Sequence, residues 1–559
     1  MKGAEYFAGQ QREISISEFF EKNRHLLGYD NKVKALLMIV KEGVDNALDA
    51  TEEARILPDI YVSVKEVGNE RYEIIIKDNG PGIVKKQIPK IFGKLLYGSK
   101  FHRLKQNRGQ QGIGISAATL YTQMTTGEPL EIESSTGDGK THKYKIKINV
   151  RKNEPLIIES GVEEGSEWRG VQLRFLTEGL YREYKQSILE YLKQTAVSNP
   201  HAQIIFDSPS GRIEFRRGVG SLPDEPRDIK PHLHGVELGI LTRMLRETKA
   251  RTLVSFLTSE FTKVGRKTAK EICSKAEIEE ARKPKGINDE EARKLLEVIK
   301  DVKLLKPPMD CLSPLGNEVV KEGLKKELNP EWVDSVTRPP EVYRGWPFQV
   351  EVGLAYGGSI DSPKLMRFAN RVPLLYQQGD CAITKAITGI DWRRYGINGK
   401  GIPEEPLAMF VHLVSVWVPF TSESKEAIAG YPVIIKEIKL ALQDCARKLG
   451  LYLSGKRKYE YHKQRIRTFE KYAEETVNAI SELTEEEKER IRKEFMEFIN
   501  LHNNKITEDE DGGEKETEEP GEERDEPGEK EGKPQDRTSR QVTLERLLQR
   551  EERPDTDGE

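Results

Sequence analysis

The chain has 559 residues, room for three or four domains by length alone. Its 90 Lys and Arg against 93 Asp and Glu leave a formal charge of −3, so no overall basic excess advertises nucleic acid, and any such contact must come from local patches. Four cysteines, Cys273, Cys311, Cys381 and Cys445, make no C-x-x-C pair, no apolar run nears the roughly 18 residues of a membrane span, and the N-terminus lacks a signal-peptide core. These features exclude a disulfide framework, a cysteine-based zinc site and a membrane protein, and the expectation is a soluble cytoplasmic protein.

In chain order, residues 32–50 predict a helix with Leu36, Ile39, Val40, Gly43 and Ala47 on one apolar stripe. Glu42 and Asn46 stand four apart and project from one face of it. An amide oxygen is a hard metal ligand, and a neighbouring carboxylate can orient and deprotonate a water. A solvated helix face is the alternative, since Asp45 and Asp49 repeat the spacing. Residues 72–77 read as a strand that Asp78-Asn79-Gly80 ends in a turn. A carboxylate there can accept a hydrogen bond from an exocyclic amine such as that of adenine. Gly109, Gly112 and Gly114 then precede an apolar run at 115–120, which puts a glycine loop at a helix N-terminus, a setting that favours phosphate. Two decoys fail. The spacing is G-x-x-G-x-G rather than that of a dinucleotide fold, and in the segment 93–100 the lysine and serine of a P-loop are exchanged.

The set E-x-x-x-N, D-x-G-x-G and a glycine lid resembles the Bergerat-fold ATPases. The segments KIFGKLLYGSKFHRLKQNRGQQGIGISAATLYTQMTTG, PHLHGVELGILTRML and VWVPFTSESKEAIAGYP are similar, in that order, to the B subunits of DNA topoisomerase VI. The likeness extends over roughly residues 1–500. It implies an α/β multidomain chain: a Bergerat-fold ATPase sandwich (1–230), a helical helix–two-turn–helix insert (231–308), an α/β transducer domain (309–455), a long stalk helix (456–505) and a disordered acidic tail (506–559). It also implies ATP as the nucleotide, with Mg²⁺ on Asn46, Glu42 as general base and Asp78 on adenine. Ser99, Lys100 and the lid Gly109, Gln110, Gln111, Gly112, Ile113, Gly114, Ile115 and Ser116 are expected over the phosphates. Lys425 is an ordinary surface lysine on sequence grounds, just after a strand and at a helix start. The resemblance instead sends it to the γ-phosphate. One departure stands out: the family's Gly-Thr pair near adenine is Gly170-Val171 here, which puts a hydroxyl-mediated contact in doubt.

Strands are expected at 60–67, 72–77, 143–150 and 171–175, then helices from 231 to about 306, with Asn288 or Asp289 as an N-cap. Lys263, Arg266, Lys267 and Lys270 cluster between those helices, either as a solvated face or as a DNA contact. Pro307, Pro308 and Pro314 mark a linker. Further strands are expected at 348–354, 374–376 and 409–418, with a helix near 381–388. From Lys456 the chain reads as long helix, basic with interleaved Tyr459, Tyr461 and Phe469, suited to line a DNA cavity or to lead to a partner. Beyond Asn504 an acidic Gly- and Pro-bearing tract predicts disorder, with a small apolar stripe at Val542, Leu544, Leu547 and Leu548.

Strand cleavage needs a nucleophilic tyrosine beside clustered carboxylates, and the 19 tyrosines offer none in such a setting. The resemblance therefore implies a DNA-cleaving A subunit, duplex DNA, an A2B2 heterotetramer that is nucleoid-associated, and ATP-driven self-dimerisation through the first domains, with residues 1–17 reaching across to the other copy. A histidine kinase would need a phosphoacceptor histidine well upstream, and only His25 precedes the helix. A stand-alone ATP-driven clamp or chaperone would lack the helical insert.

Overall fold

The computed structural model describes residue 6 and residues 13–100, 103–109, 112–422, 424–484, 487–495 and 497. The chain divides into two units, Met1–Tyr459 and Glu460–Glu559.

The first unit begins with α1 (Ile16–Lys22) and α2 (Lys32–Glu53), the latter capped by Asn31, whose side chain accepts from Lys34 N. Strands β1 (Asp59–Gly68) and β2 (Arg71–Lys77) pair antiparallel. Then come α3 (Ile88–Gly93), α4 (Gly114–Thr126), β3 (Leu130–Ser135), β4 (Lys140–Asn149), β5 (Glu154–Glu164), β6 (Gly170–Glu178), α5 (Ile188–Ser198), β7 (Gln203–Ser208) and β8 (Gly211–Phe215). The eight strands form one sheet in the order β5-β4-β3-β6-β2-β1-β7-β8, in which only β1 and β7 pair parallel. Alternate residues of β2 are buried, because one face of the sheet carries helices and the other meets solvent. Leu36, Ile39, Val40, Val44 and Leu48 of α2 pack with Val62, Ile74, Ile76, Ile132 and Phe175 of the sheet. Each such side chain contributes roughly 1.5–3 kcal/mol on full burial.

The insert holds α6 (Leu238–Glu247), α7 (Leu253–Glu260), α8 (Arg266–Lys275) and α9 (Asp289–Asp301) around its own core of Leu241, Phe256, Ile272, Leu295 and Ile299. Asn288 caps α9 as expected, in a reciprocal box with Glu291. After the prolines follow α10 (Asn317–Leu328), β9 (Trp332–Thr337), β10 (Glu341–Tyr343), β11 (Trp346–Tyr356), β12 (Lys364–Ala369), β13 (Val372–Pro373), α11 (Ala382–Thr388), β14 (Leu407–Ser415) and α12 (Pro432–Thr484). The sheet runs β10-β11-β14-β12-β13, with β9 on β11. All nine residues of β14 are buried, as expected of a central strand covered on both faces.

Three expected elements differ. Residues 374–376 are not a strand. β13 ends at Pro373, and the carbonyls of Leu374 and Tyr376 accept from the Arg367 guanidinium instead of a ladder. The strand expected to reach 418 stops at Ser415, whose hydroxyl accepts from Trp417 N and turns the chain. The helix carrying Lys456 starts at Pro432, because Ile434, Ile438, Ala441, Leu442, Cys445 and Leu449 form a buried stripe at helical spacing. In the second unit, Ala473, Val477 and Ile491 are buried and Arg492 pairs with Glu474. The acidic tail and its apolar stripe lie outside the described residues.

Candidate functional site

Helix α2 decides between a solvated face and a site. Lys41 and residues 43–45 and 47–49 are buried, Glu42 is half-buried, and Asn46 alone in this stretch is exposed. Asp45 and Asp49 are therefore not a solvated face. Lys41 Nζ donates to Asp45 at 2.9 Å, Tyr191 Oη donates to Asp45 at 2.8 Å, and Asp49 accepts from Arg108 at 2.8 Å and from Lys100. Salt-bridging Lys100 and Arg108 hold the Asp49 carboxyl below its ordinary range despite burial, which acts the other way.

Glu42 and Asn46 open onto a cavity of about 580 Å³. It is also lined by Asp78, Ser99, Lys100, Gly109, Gly112, Ile113, Gly114, Ile115 and Lys425. Gln110 and Gln111 lie outside the described residues. Ser116 does not line the cavity: it is buried, and its hydroxyl donates to Ile113 O at 2.9 Å, one turn back along the start of α4. The far wall is apolar, with Met38, Ile76, Ile83, Ile91, Phe92, Val171 and Leu173. Sequence reasoning misses these, because such residues at strand and helix spacing look like ordinary core. Only the fold shows that they line the same cavity as Asp78.

Asp78 sits where β2 ends. Its Oδ1 accepts from Gly80 N at 2.8 Å and from Val171 N at 3.2 Å, which leaves Oδ2 for a ligand. Burial pushes its pKa up to about 6, against the lowering effect of those two N–H donors. Asn79 only builds the turn, accepting from Asp59 N and donating to Leu57 O. Val171, where the family has threonine, holds the Asp78 carboxylate through its backbone N–H, which any residue but proline supplies.

The lid glycines act for two different reasons. Gly112 has φ +58°, a left-handed conformation that β-branched residues resist. Gly114 is not at positive φ. A Cβ there would lie 1.7 Å from Glu42 Oε2, so any side chain at 114 would displace the Glu42 carboxylate.

Lys425 is not at a helix start. It is a half-buried loop residue at φ +54° between β14 and α12, and its Nζ donates to Arg108 O at 3.4 Å. Burial lowers its pKa, with Glu42 opposing. Next to it, Glu426 pairs with Lys34 of α2 at 2.5 Å. The fold thus brings a transducer-side lysine, 383 positions from Glu42 in sequence (425 − 42), into the same cavity.

An acid, an amide, a carboxylate at a strand end and a glycine-rich helix start around one cavity define an ATPase of the histidine kinase, DNA gyrase B and HSP90 type. The family described as "Histidine kinase-, DNA gyrase B-, and HSP90-like ATPase" matches residues 31–152, and "Topoisomerase VI B subunit, transducer" matches residues 307–465. The B subunit of type 2 DNA topoisomerase 6 from Archaeoglobus fulgidus is 48% identical over 515 residues, covering 90% of this chain and 85% of that protein. That of Methanosarcina barkeri is 50% identical over 459 residues (81% and 74%), and that of Pyrococcus horikoshii 40% over 534 (87% and 94%). The chain belongs to the family of topoisomerase VI B subunits. It is the ATP-driven component of a type IIB DNA topoisomerase, which sets aside the histidine kinase and stand-alone clamp readings.

Proposed function

We propose that Glu42 is the general base for ATP hydrolysis and that the hydrolytic cycle closes and opens a gate made by two copies of this chain. What supports this reading is the convergence of Glu42, Asn46, Asp78, the lid and Lys425 on one cavity. Asp78 accepts the adenine amine, and Ser99, Lys100 and the lid backbone face the phosphates. Glu42 takes a proton from the water that attacks the γ-phosphorus, the β–γ bridging bond breaks, and ADP and phosphate result. Among the described residues no group of three or more His, Cys, Asp or Glu could hold a metal on its own. That fits an Mg²⁺ carried largely by the nucleotide, with Asn46 as its protein ligand. Bound there, the ion would offset negative charge on the phosphates. Lys425 contributes a point charge to the γ-phosphate.

The division of labour follows the expected domains: ATPase at 1–230, helix–two-turn–helix at 231–308, transducer at 309–455, stalk at 456–505 and tail at 506–559. ATP joins two copies through their ATPase domains, with residues 1–17 reaching across, and hydrolysis releases them. The stalk recruits the DNA-cleaving A subunit into an A2B2 heterotetramer that passes one duplex through another in the cytoplasm, at the nucleoid. No helix among the described residues is long and apolar enough to cross a membrane.

The test is Glu42→Ala. It should bind ATP and dimerise with it in sedimentation, while hydrolysis falls by roughly two or more orders of magnitude. Wild-type turnover in that variant removes Glu42 from the mechanism.

A further inference from the structure

Residues 106–108 form the stem that leads into the lid, and every one of them is bonded to the transducer side of the molecule. Gln106, buried, exchanges two hydrogen bonds with Ser313: its Nε2 donates to Ser313 O at 3.0 Å and its Oε1 accepts from Ser313 N at 2.8 Å. Asn107 O accepts from Asn370 Nδ2 at 3.0 Å. Arg108 O accepts from Lys425. The Arg108 guanidinium grips Glu52 of α2 with both terminal nitrogens, at 3.0 and 2.6 Å. Arg371, from the turn between β12 and β13, reaches the same carboxylate at 3.1 Å and donates to Ser313 O and Oγ at 2.9 and 2.6 Å.

Two features make this more than packing. Asn370 and Arg371 are both left-handed, at φ +47° and +68°. That conformation is uncommon for a side-chain-bearing residue and is held here by Asn370 bonds to Ser415 and by Arg371 N donating to His412 Nε2 at 2.9 Å. Arg371 also joins the two sides electrostatically: it shares Glu52 of α2 with Arg108, while the charge of the buried Glu351 on β11 acts on it from the transducer side.

We propose that the Asn370–Arg371 turn is a latch through which the transducer sets the pose of the ATP lid, with Arg371 as the positioning residue. This rests on the reading that the lid closes over the γ-phosphate. The turn adds to Lys425 a second route between the domains, acting on the lid stem rather than on the nucleotide. Displacement of the transducer would draw Arg371 and Asn370 off Glu52 and Asn107, and the stem would lose its hold.

The experiment uses the full chain. Arg371→Met should raise KM for ATP roughly tenfold, the scale of ordinary coupling between sites, while the affinity for ADP, which has no γ-phosphate for the lid to close on, stays at the wild-type value. Proteolytic cleavage at Lys105 or Arg108, suppressed in wild type by a non-hydrolysable ATP analogue, should return in the variant. Arg371→Lys, which keeps the charge and loses the fork, should recover part of both effects. Asn370→Gly, which tolerates the left-handed φ and removes the side-chain bonds to Asn107 and Ser415, should act in the same direction. Unchanged KM and protection in both Arg371→Met and Asn370→Gly refute the latch. So does a parallel loss of ADP binding and thermal stability, which would mark a structural role. If wild type shows no nucleotide-dependent protection, the lid reading itself fails, and the latch with it.

Discussion

Replacing Asp78 by Asn gives the sharpest test of base recognition. The new amide oxygen can still accept from Gly80 N and Val171 N, so the turn survives. The amide nitrogen then takes the place of Oδ2 and sets a donor against the donor of the adenine amine. The loss is one hydrogen bond to a charged acceptor, about 1.5–3 kcal/mol, or a Kd weaker by roughly 10- to 150-fold. Acidity supplies an independent check. The folded-state pKa of about 6 lies above the ordinary 3.8, so the empty folded domain holds a proton that the unfolded chain releases. Ionised Asp78 thus costs the empty domain about 3 kcal/mol above pH 6 (6 − 3.8, times 1.36 per unit), a cost absent below pH 3.8. An amine donor offsets that cost by binding the carboxylate form. ATP affinity should therefore hold above pH 6 and weaken as pH falls from 6 towards 5. The assay is titration calorimetry of both proteins between pH 5 and 8. The ratio of their Kd values cancels the titration of the nucleotide's own phosphates. An Asn variant that binds ATP within twofold of wild type, or a ratio that stays constant from pH 7 to pH 5, refutes the assignment.

Gly114→Val should abolish ATP turnover by driving Cβ into Glu42, and Gly112→Val should do so by resisting φ +58°. Circular dichroism should show both folded, and normal hydrolysis by either removes the lid from the reaction. Lys425→Ala should lower kcat for ATP roughly 100-fold, the usual effect of losing one preorganised charge at a developing anion, with assembly unchanged by sedimentation. A kcat within a few-fold of wild type would return Lys425 to an ordinary loop lysine. Truncation at Gly455 should keep ATP-dependent dimerisation and lose the A subunit in pull-down, and retention of that partner would disprove the stalk assignment.

The nucleotide half of the site is legible in the sequence because its chemistry is local. Glu42 and Asn46 share a helix face, Asp78 ends a strand, and glycines open a helix, each within a few residues of sequence. What cannot be read is whatever depends on residues far apart. The same i, i+4 rule that pairs Glu42 with Asn46 pairs Asp45 with Asp49, and it is Lys41 and Tyr191 on the first and Lys100 and Arg108 on the second that set those two apart. The apolar wall from Met38 to Leu173 carries the periodicity of any core. The start of α12 escapes a sequence reading because its first turns are apolar and its later turns basic, so composition changes at Lys456 while the helix does not. Resemblance finds Lys425 but not its surroundings: burial and a left-handed backbone come from contacts with Arg108 and α2 that no local pattern records.

On the proposed mechanism, those contacts are the path by which hydrolysis in one domain would be felt in another. The loop after β14 holds α2 through Glu426 and Lys34, neither of which lines the cavity. Lys425, one residue earlier, does face it and among the described residues makes one long bond, to a carbonyl, while burial disfavours its charge. On the proposed mechanism a γ-phosphate would add counter-charge beside Lys425, so ATP would favour the transducer pose that brings Lys425 in, and loss of phosphate would remove that preference. Coupling of this kind is reciprocal for binding. Whatever holds the transducer in the inward pose must tighten ATP binding by the same factor by which ATP favours that pose, so the nucleotide site reports on the far side of the transducer as much as it drives it.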